Sequence, residues 1–243
     1  MSKIGLGITS YFCGKTPPGR LDIFRRSIES LLSSDFQGPT YLVDDGSTIQ
    51  DHLKLLESLD KAGRVKVHKR VNGGIARAKN SCIKLILDSG CNIGFLADDD
   101  LLYKDKRWFE AYEHAINVTG IHHFSFFYEK TACREEKINN LLIRCTPHVN
   151  GCFLTFTKEL IDKIGYFKIL SYRYGHEHSN FSVRTTKLTQ HKHFYDIKDS
   201  GKYIDLIPES LSNRSIGEID QAAFKKNETE ALCSQFRKEP LII

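Results

Sequence analysis

One stretch near the middle of the chain places a short apolar run directly before three successive carboxylates. The run covers 93–97, and Asp98, Asp99 and Asp100 follow it. It has the length of one buried strand. Three adjacent carboxylates repel one another, so a stable fold has to compensate their charge. Mg²⁺ and Mn²⁺ do so well because they take oxygen ligands and leave positions for substrate phosphates. The alternative is a solvated turn that caps the next helix.

Apolar runs and helical periods alternate along the first part of the chain. Strands are expected at 4–11, 40–43, about 65–67 and 93–97, and the clearest helix covers 21–33. This alternation predicts a single α/β domain with a mainly parallel sheet and helices on both faces. In such a sheet, ligands bind beyond the carboxyl ends of the strands. Four polar groups fall at those ends and are expected to share one rim: Tyr11, Asp44–Asp45, Asn72–Gly74 and Asp98–Asp100.

The second half of the chain is less regular. Its pattern predicts a helix, two strands around a polar connection, and a short helix, in the order 105–117, 121–128, 130–140, 141–145 and 158–164. From about Ser210 the chain turns polar, which indicates an exposed C-terminal helix or tail. We therefore expect one domain over 1–210, made of two halves at 1–103 and 104–210. Residues 211–243 form the predicted extension.

Composition narrows the class of protein. With 40% hydrophobic and 27% charged residues, the 243-residue chain can build a full core. Its net charge of +5 is spread among acids, which argues against nucleic acid as the main partner. Seven cysteines form no C-x-x-C pair, so reduced thiols are expected. The N-terminus lacks a secretory signal, and no apolar run approaches ~20 residues. A cytoplasmic location is expected, and peripheral membrane association stays open.

Two predicted turns carry groups that suit a nucleotide. The carboxylate of Asp45 can accept an N–H such as that of uracil, although its sequence D-D-G-S also fits a type I turn. Glycines at 73 and 74 permit close approach of a diphosphate to backbone N–H groups, or they begin a helix. Arg77 lies one turn further on, where it can contact the diphosphate or remain at the surface.

Four short motifs occur in a fixed order along the chain: T-S-Y from Thr9, V-D-D-G-S from Val43, N-x-G-x-x-R-x-x-N from Asn72, and L-A-D-D-D from Leu96. Together they resemble GT-A-fold glycosyltransferases of the family 2 type, over about residues 1–190. The resemblance implies an inverting, metal-dependent enzyme. Such an enzyme transfers a sugar from a nucleotide diphosphate-sugar, UDP-sugar by analogy, to a hydroxyl of a glycan or glycoconjugate.

The resemblance implies nucleotide binding by the half at 1–103 and acceptor binding by the half at 104–210, and it also implies roles for single residues. Thr9 and Tyr11 would flank the nucleobase, and Asp45 would hydrogen-bond it. Asp98 would lie on the ribose side. Asp99, with Asp100 nearby, would coordinate Mn²⁺ or Mg²⁺ on the diphosphate. The remaining candidates for donor binding come from the glycine turn and the helix after it: Asn72, Gly74 and Arg77.

A later segment, Gly175-His176-Glu177-His178, resembles the family motif that supplies the catalytic base. It departs from that motif because His178 replaces the second acid, and Asn180 stands where an acid is frequent. Glu177 is thus the only carboxylate of the motif and the predicted base. Three alternatives stay open. His178 is the base itself, or it is a metal ligand beside Asp99, or both histidines only begin a helix and orient Glu177.

The sequence also offers acceptor-side candidates and two competing functions. His148, Asn150 and Phe153 are candidates for the acceptor side, although core packing explains Phe153 equally well. A nucleotidyltransferase also combines an α/β sheet, paired aspartates and a metal, but the proline-containing loop at 13–20 is a poor match to its glycine-rich phosphate loop. A binding homologue without turnover is the third hypothesis, indicated by His178 in place of an acid.

Overall fold

The computed structural model describes residues 3–128, 133–211, 221–233 and 236–243. The strands are β1 Ile4–Ser10, β2 Thr40–Asp44, β3 Lys66–Lys69, β4 Ile93–Asp98, β5 Leu101–Tyr103, β6 Arg134–Ile138, β7 Leu141–Thr146, β8 Phe153–Thr157, β9 Phe194–Ile197 and β10 Ile204–Leu206. The α-helices are α1 Arg20–Leu32, α2 Gln50–Ala62, α3 Ile75–Asp88, α4 Trp108–Thr119, α5 Lys158–Ile164, α6 Glu177–Leu188 and α7 Gln221–Cys233.

The central sheet has the strand order β3-β2-β1-β4-β8. The pairings among β1, β2, β3 and β4 are parallel, and β8 joins β4 in the antiparallel direction. The register places Thr9 beside Asp98 and Ser10 beside Asp44, so the ends of β1, β2 and β4 meet at one edge. The predicted α/β fold with a mainly parallel sheet is confirmed.

Helices cover both faces of this sheet. In β4, Phe95 and Ala97 belong to a core that includes side chains of α1, α2 and α4, whereas Leu96 belongs to a second core with α3, α5 and α6. This alternation follows the two-residue period of a strand. Because both faces are buried, the strands read in the sequence as continuous apolar runs rather than as alternating ones.

The second half differs from the prediction in two places. Segment 121–128 is not a regular strand. It makes one bridge, between Ser125 and Leu154, and its Phe127 N–H donates to the carboxylate of Asp196 rather than to a strand partner. The predicted polar connection contains β6, which pairs with β7. The first three of its residues, 130–132, lie outside the described part. The sequence did not indicate β6, because this edge strand is largely exposed and consists of four charged residues followed by Ile138.

The C-terminal segment contains the predicted helix, α7, but this helix is not simply exposed. Asn227 and Ala231 are fully buried, and the backbone oxygen of Ala231 accepts a hydrogen bond from Asn180 of α6. Residues 212–220 of the predicted tail lie outside the described part. The boundaries proposed at 103/104 and 210/211 stay predictions. No helix in the described ranges is long and apolar enough to span a bilayer.

The buried side chain of His123 links β8 to α6 through hydrogen bonds. Nδ1 of His123 lies 2.7 Å from the backbone oxygen of Thr155, and Nε2 lies 2.6 Å from the hydroxyl of Ser182. A carbonyl only accepts hydrogen bonds, so Nδ1 carries the proton and Nε2 accepts from the serine. Burial lowers the pKa of His123 from 6.5 to about 4. The ring is therefore neutral at physiological pH.

This histidine predicts a pH-dependent stability. Because its folded-state pKa lies below the unfolded value, the unfolded chain binds the proton more tightly, and stability is lost as the pH falls from about 6.5 towards 4. Between pH 7 and pH 5 the loss from this one ring is roughly 2 kcal/mol. The unfolding free energy of His123→Gln, measured with denaturant, is expected to depend less steeply on pH than that of the wild type. His114 is exposed, so His114→Gln should keep the wild-type dependence on pH. The same pH dependence in both variants would contradict the role of His123.

Candidate active site

One cleft of about 1130 Å³ opens at the carboxyl ends of β1, β2 and β4. This volume is near the upper end of the range that small-molecule sites span. Most of the residues singled out in the sequence line it, namely Thr9, Tyr11, Asp45, Asn72, Gly74, Asp98, Asp99, Asp100, His148, Asn150, Glu177 and His178. Arg77 instead lines an adjoining pocket of about 460 Å³. Phe153 is fully buried and packs against Trp108 and Tyr112 in the core, as its core alternative predicts.

Asp45, at the end of β2, is more fully engaged than the sequence indicated. Its carboxylate accepts hydrogen bonds from the guanidinium of Arg70 and from the backbone N–H groups of Gly73 (3.1 Å) and Gly74 (2.8 Å). Burial raises the pKa of Asp45, and these donors oppose that shift. Asp45 thus fixes the glycine turn. The N–H groups of both glycines are directed at Asp45 in this structure, and the predicted approach of a diphosphate to them stays a prediction.

The aspartate triplet is partly neutralised by two buried basic side chains. The guanidinium of Arg20 contacts Asp99 and donates to Asp100 Oδ2 over 3.0 Å. The ammonium of Lys79 lies 3.3 Å from Asp98 Oδ1 and donates to the backbone oxygen of Gly151 over 2.6 Å. Arg20 and Lys79 are 4% and 1% exposed, so these contacts are shielded from water. The chain itself therefore supplies part of the compensation that the carboxylates require.

Sequence reasoning assigned no role to either basic residue, although one of them carried a signal. Lys79 lies on the apolar stripe of α3, one turn before Cys82 and Ile83 and two turns before Ile86. A lysine at such a position is rarely buried without a partner, and an acidic partner was available in β4. Arg20 gave no comparable signal, because it follows a glycine at the start of α1 and resembles an ordinary surface arginine.

Negative charge remains in excess at this edge. Asp98, Asp99, Asp100 and Glu177 carry four carboxylates against the two cations of Arg20 and Lys79. Four buried oxygens of these carboxylates have no hydrogen-bond partner within the described ranges: Asp98 Oδ1, Asp99 Oδ2, Asp100 Oδ1 and Glu177 Oε2. Of these, Asp98 Oδ1 is the one that lies beside the ammonium of Lys79. Burial, together with the neighbouring aspartates, raises the pKa of Asp99 despite the ion pair with Arg20.

These orphaned oxygens fit a divalent cation in charge and in chemistry. Two excess negative charges match one Mg²⁺ or Mn²⁺, and both ions prefer carboxylate oxygen. The described part of the chain contains no group of three His, Cys, Asp or Glu side chains arranged to hold a metal. Two carboxylates are nevertheless sufficient for Mg²⁺, which usually completes its shell with waters and substrate phosphates. His178 does not complete a three-residue site with Asp99 and Asp100 here.

Glu177 begins α6 and is 5% exposed. Its Oε1 lies 3.2 Å from Nδ1 of His178, and its Oε2 is buried without a hydrogen-bond partner among the residues that the structure describes. Burial opposes ionisation, but the hydrogen bond and charge of His178, and then the charge of Lys79, hold the pKa of Glu177 well below its ordinary range. The carboxylate is therefore ionised at neutral pH. It has one oxygen held and one free, an arrangement that suits proton acceptance.

No family model matches the chain. Over 219 residues it is 40% identical to a protein of Acanthamoeba polyphaga mimivirus that is named an uncharacterized glycosyltransferase, and the match covers 88% of this chain and 85% of that protein. The chain belongs to the glycosyltransferases. It is therefore an enzyme of the predicted class, and the nucleotidyltransferase alternative is set aside.

Solved structures share the fold of this glycosyltransferase. Staphylococcus aureus TarS 1–349 in complex with UDP has a TM-score of 0.58 at 15% identity, over 96% of this chain and 72% of TarS. The complex of TarS with UDP-GlcNAc has a TM-score of 0.54 at 17% identity, over 81% and 56%. The Pyrobaculum calidifontis mannosyltransferase PcManGT, with GDP-Man and Mn²⁺, has a TM-score of 0.55 at 13% identity, over 85% of this chain and 57% of PcManGT. These likenesses support the predicted GT-A fold.

Arg20 provides a test of the charge balance in the glycosyltransferase. Replacement by Gln leaves Asp99 and Asp100 buried without their cation, so unfolding free energy should fall by roughly 3–5 kcal/mol. Added Mn²⁺ should restore part of this loss in denaturant unfolding, because it supplies positive charge to the same carboxylates. The matched control is Arg26→Gln in the same helix, where the ion pair with Glu209 is exposed and is worth about 0–1 kcal/mol. Equal losses in the two variants would refute the role of Arg20.

Proposed function

We propose that this glycosyltransferase moves a sugar from a nucleotide diphosphate-sugar to an acceptor hydroxyl, with inversion and with the assistance of a divalent cation. One observation carries the proposal: the donor-side loops, the aspartate triplet and Glu177 line a single cleft. A donor anchored at the strand ends would therefore present its anomeric carbon within the same space as an ionised carboxylate. This arrangement is the minimum that a direct displacement requires.

On the donor side, we propose that Thr9 and Tyr11 flank the nucleobase at the end of β1. The base would approach both Asp45 and Arg70, the ion-pair partner of Asp45. Arg70 adds hydrogen-bond donors that the sequence did not indicate. Asn72 and Gly74 shape this part of the cleft, and Asp98 would serve the ribose. A UDP-sugar is the proposed donor. Its support is the family resemblance and the TarS complexes with UDP and UDP-GlcNAc, whereas PcManGT was solved with GDP-Man.

For the cation, we propose that the free oxygens of Asp99 and Asp100 hold Mn²⁺ or Mg²⁺ while Arg20 keeps their other oxygens. When bound, the ion supplies Lewis-acid stabilisation of the departing diphosphate. Arg20 contributes permanent positive charge to the same edge. Arg77 lies in the adjoining pocket, so a contact with the diphosphate would require its side chain to turn towards the main cleft.

For the reaction, we propose Glu177 as the base. The acceptor oxygen forms its bond to the anomeric carbon as the bond from that carbon to the diphosphate breaks, and the hydroxyl proton passes to Glu177. His178 holds one oxygen of Glu177 in place, which leaves Oε2 to accept the proton. The low pKa keeps Glu177 ionised, so that it can accept a proton at neutral pH. The proposed acceptor is a glycan or glycoconjugate in the cytoplasm, and His148 and Asn150 line the cleft where it would bind.

The base assignment predicts different outcomes for two neighbouring residues. Glu177→Gln should lower turnover by about 10²–10⁴-fold, because the amide cannot take the proton, while donor affinity changes little. The matched variant His178→Gln should retain part of the activity, since it removes only the group that orients Glu177. Release of nucleoside diphosphate from UDP- and GDP-sugars measures turnover, and calorimetry measures affinity. Near-normal turnover of Glu177→Gln with inactive His178→Gln would make His178 the base.

The cation assignment is tested through binding rather than through activity alone. A UDP-, GDP- or CMP-sugar that fits the cleft should raise the melting temperature, and more so with Mn²⁺ than with EDTA. Asp99→Asn should reduce this Mn²⁺-dependent increment and lower turnover. The exposed Asp51→Asn serves as the control on another element. Turnover and melting temperature that are insensitive to both EDTA and Asp99→Asn would exclude a metal at this site.

A further inference from the structure

Helix α7 forms part of the wall of the active-site cleft. Phe224, Glu228 and Leu232 lie along one side of this helix and line the same cleft as Glu177. Their spacing of four residues is that of neighbouring positions on one helical face. The sequence had indicated only an exposed helix or tail here.

Asn227, on the buried side of α7, holds the loop that precedes Glu177. Its Oδ1 accepts from the backbone N–H of Tyr172 over 2.8 Å. Its amide donates to the backbone oxygens of Tyr172 (2.8 Å), Tyr174 (3.2 Å) and Gly175 (3.1 Å). The residue is fully buried, so water does not compete for these bonds. One side chain thereby satisfies four backbone groups of a loop that has no regular secondary structure of its own.

Phe224 fixes the same loop one turn earlier on α7. Its ring lies 4.5 Å from that of His176, centroid to centroid, and it covers Gly175 so closely that a Cβ there would collide with the ring. Gly175 and His176 both have positive φ, of 95° and 65°. This conformation is unfavourable for a histidine and needs support from its surroundings. The packing of Phe224 supplies that support immediately before Glu177.

A third contact anchors the first turn of α6 to α7. The amide of Asn180 donates to the backbone oxygen of Ala231 over 2.9 Å, and Asn180 itself is 1% exposed. Asn180 occupies the place where the related motif frequently has an acid, and this bond gives the asparagine a structural use. Glu177 thus lies between two points of attachment to α7, one at Gly175 and one at Asn180.

We propose that α7 positions the catalytic base, and that Asn227 is the positioning residue through which it does so. The inference rests on the proposed role of Glu177. Asn227 touches no reacting group. It sets the path of the loop 172–175, and the loop sets where Glu177 begins α6 and where Oε2 is presented. A displacement of about 1 Å at a catalytic group is enough to reduce a rate about 100-fold.

The primary test is Asn227→Ala. Turnover of the UDP- or GDP-sugar that the wild type hydrolyses or transfers should fall about 10- to 100-fold, while the dissociation constant for that sugar nucleotide stays within about twofold. The loop 172–175 reaches the donor side through Arg173, which donates to Asn72 and accepts from the N–H of Ile75, but Asn227 bonds to neither atom of Arg173. The change in donor affinity should therefore be much smaller than the change in turnover. Thr229→Ala is the matched control, because Thr229 is exposed on the same helix and bonds only within it. An Asn227→Ala variant with wild-type turnover would overturn the proposal.

A double-mutant cycle separates positioning from general destabilisation. If Asn227 acts through Glu177, combining Asn227→Ala with Glu177→Gln should slow the residual reaction no further than Glu177→Gln alone. Multiplicative losses would overturn the proposal and assign Asn227 a merely structural role. If Asn227→Ala does not fold, Phe224→Leu replaces it in the same cycle, since it keeps the hydrogen bonds of Asn227 and loosens the packing of α7 on Tyr174, Gly175 and His176. Full turnover by Glu177→Gln would instead refute the proposed base, whatever Asn227→Ala does.

Discussion

Buried ion pairing at the end of β4 is the interaction on which the cleft depends. Asp99 and Asp100 share the guanidinium of Arg20, and Asp98 lies beside Lys79. Removing charges from water costs several kcal/mol per ion unless partners are well placed, so these pairs need precise placement of three elements, α1, α3 and β4. Because its own side chains partly balance its charge, the site can fold before any cation or donor binds. It keeps enough negative charge to attract a cation.

The parallel sheet explains why these groups meet. With β1 between β2 and β4, the register places Thr9 beside Asp98 and Ser10 beside Asp44. The three strands therefore end at the same edge of the sheet. The helices that follow return on both faces, so this edge stays open to ligands. The proposed contacts to the base, the phosphates and the acceptor would then come from loops that share the rigid sheet as their floor. Such a floor holds catalytic groups more precisely than loops alone would.

The sequence allowed prediction of what periodicity and motif order encode. The parallel strands and α5, which spans 158–164 as expected, follow from apolar runs and helical spacing. The cleft followed from polar groups at strand ends. The ion-pair partners of the aspartates were not predictable, because no local sequence pattern distinguishes Arg20 and Arg70 from surface arginines. Segment 121–128 has the composition of a strand, yet the buried Asp196 takes the Phe127 N–H, a long-range contact that local pattern does not reveal.

The contact between α6 and α7 has a consequence for how the molecule is assembled. Loops that would receive the nucleotide come from the early part of the chain, whereas Asn227 joins Tyr172 and Gly175 only after α7 has been synthesised. Contacts between segments that are distant in sequence form late, because the entropy of closing the loop between them has to be lost first. The loop before Glu177 therefore takes its final path only after α7 has been made and has docked on α6.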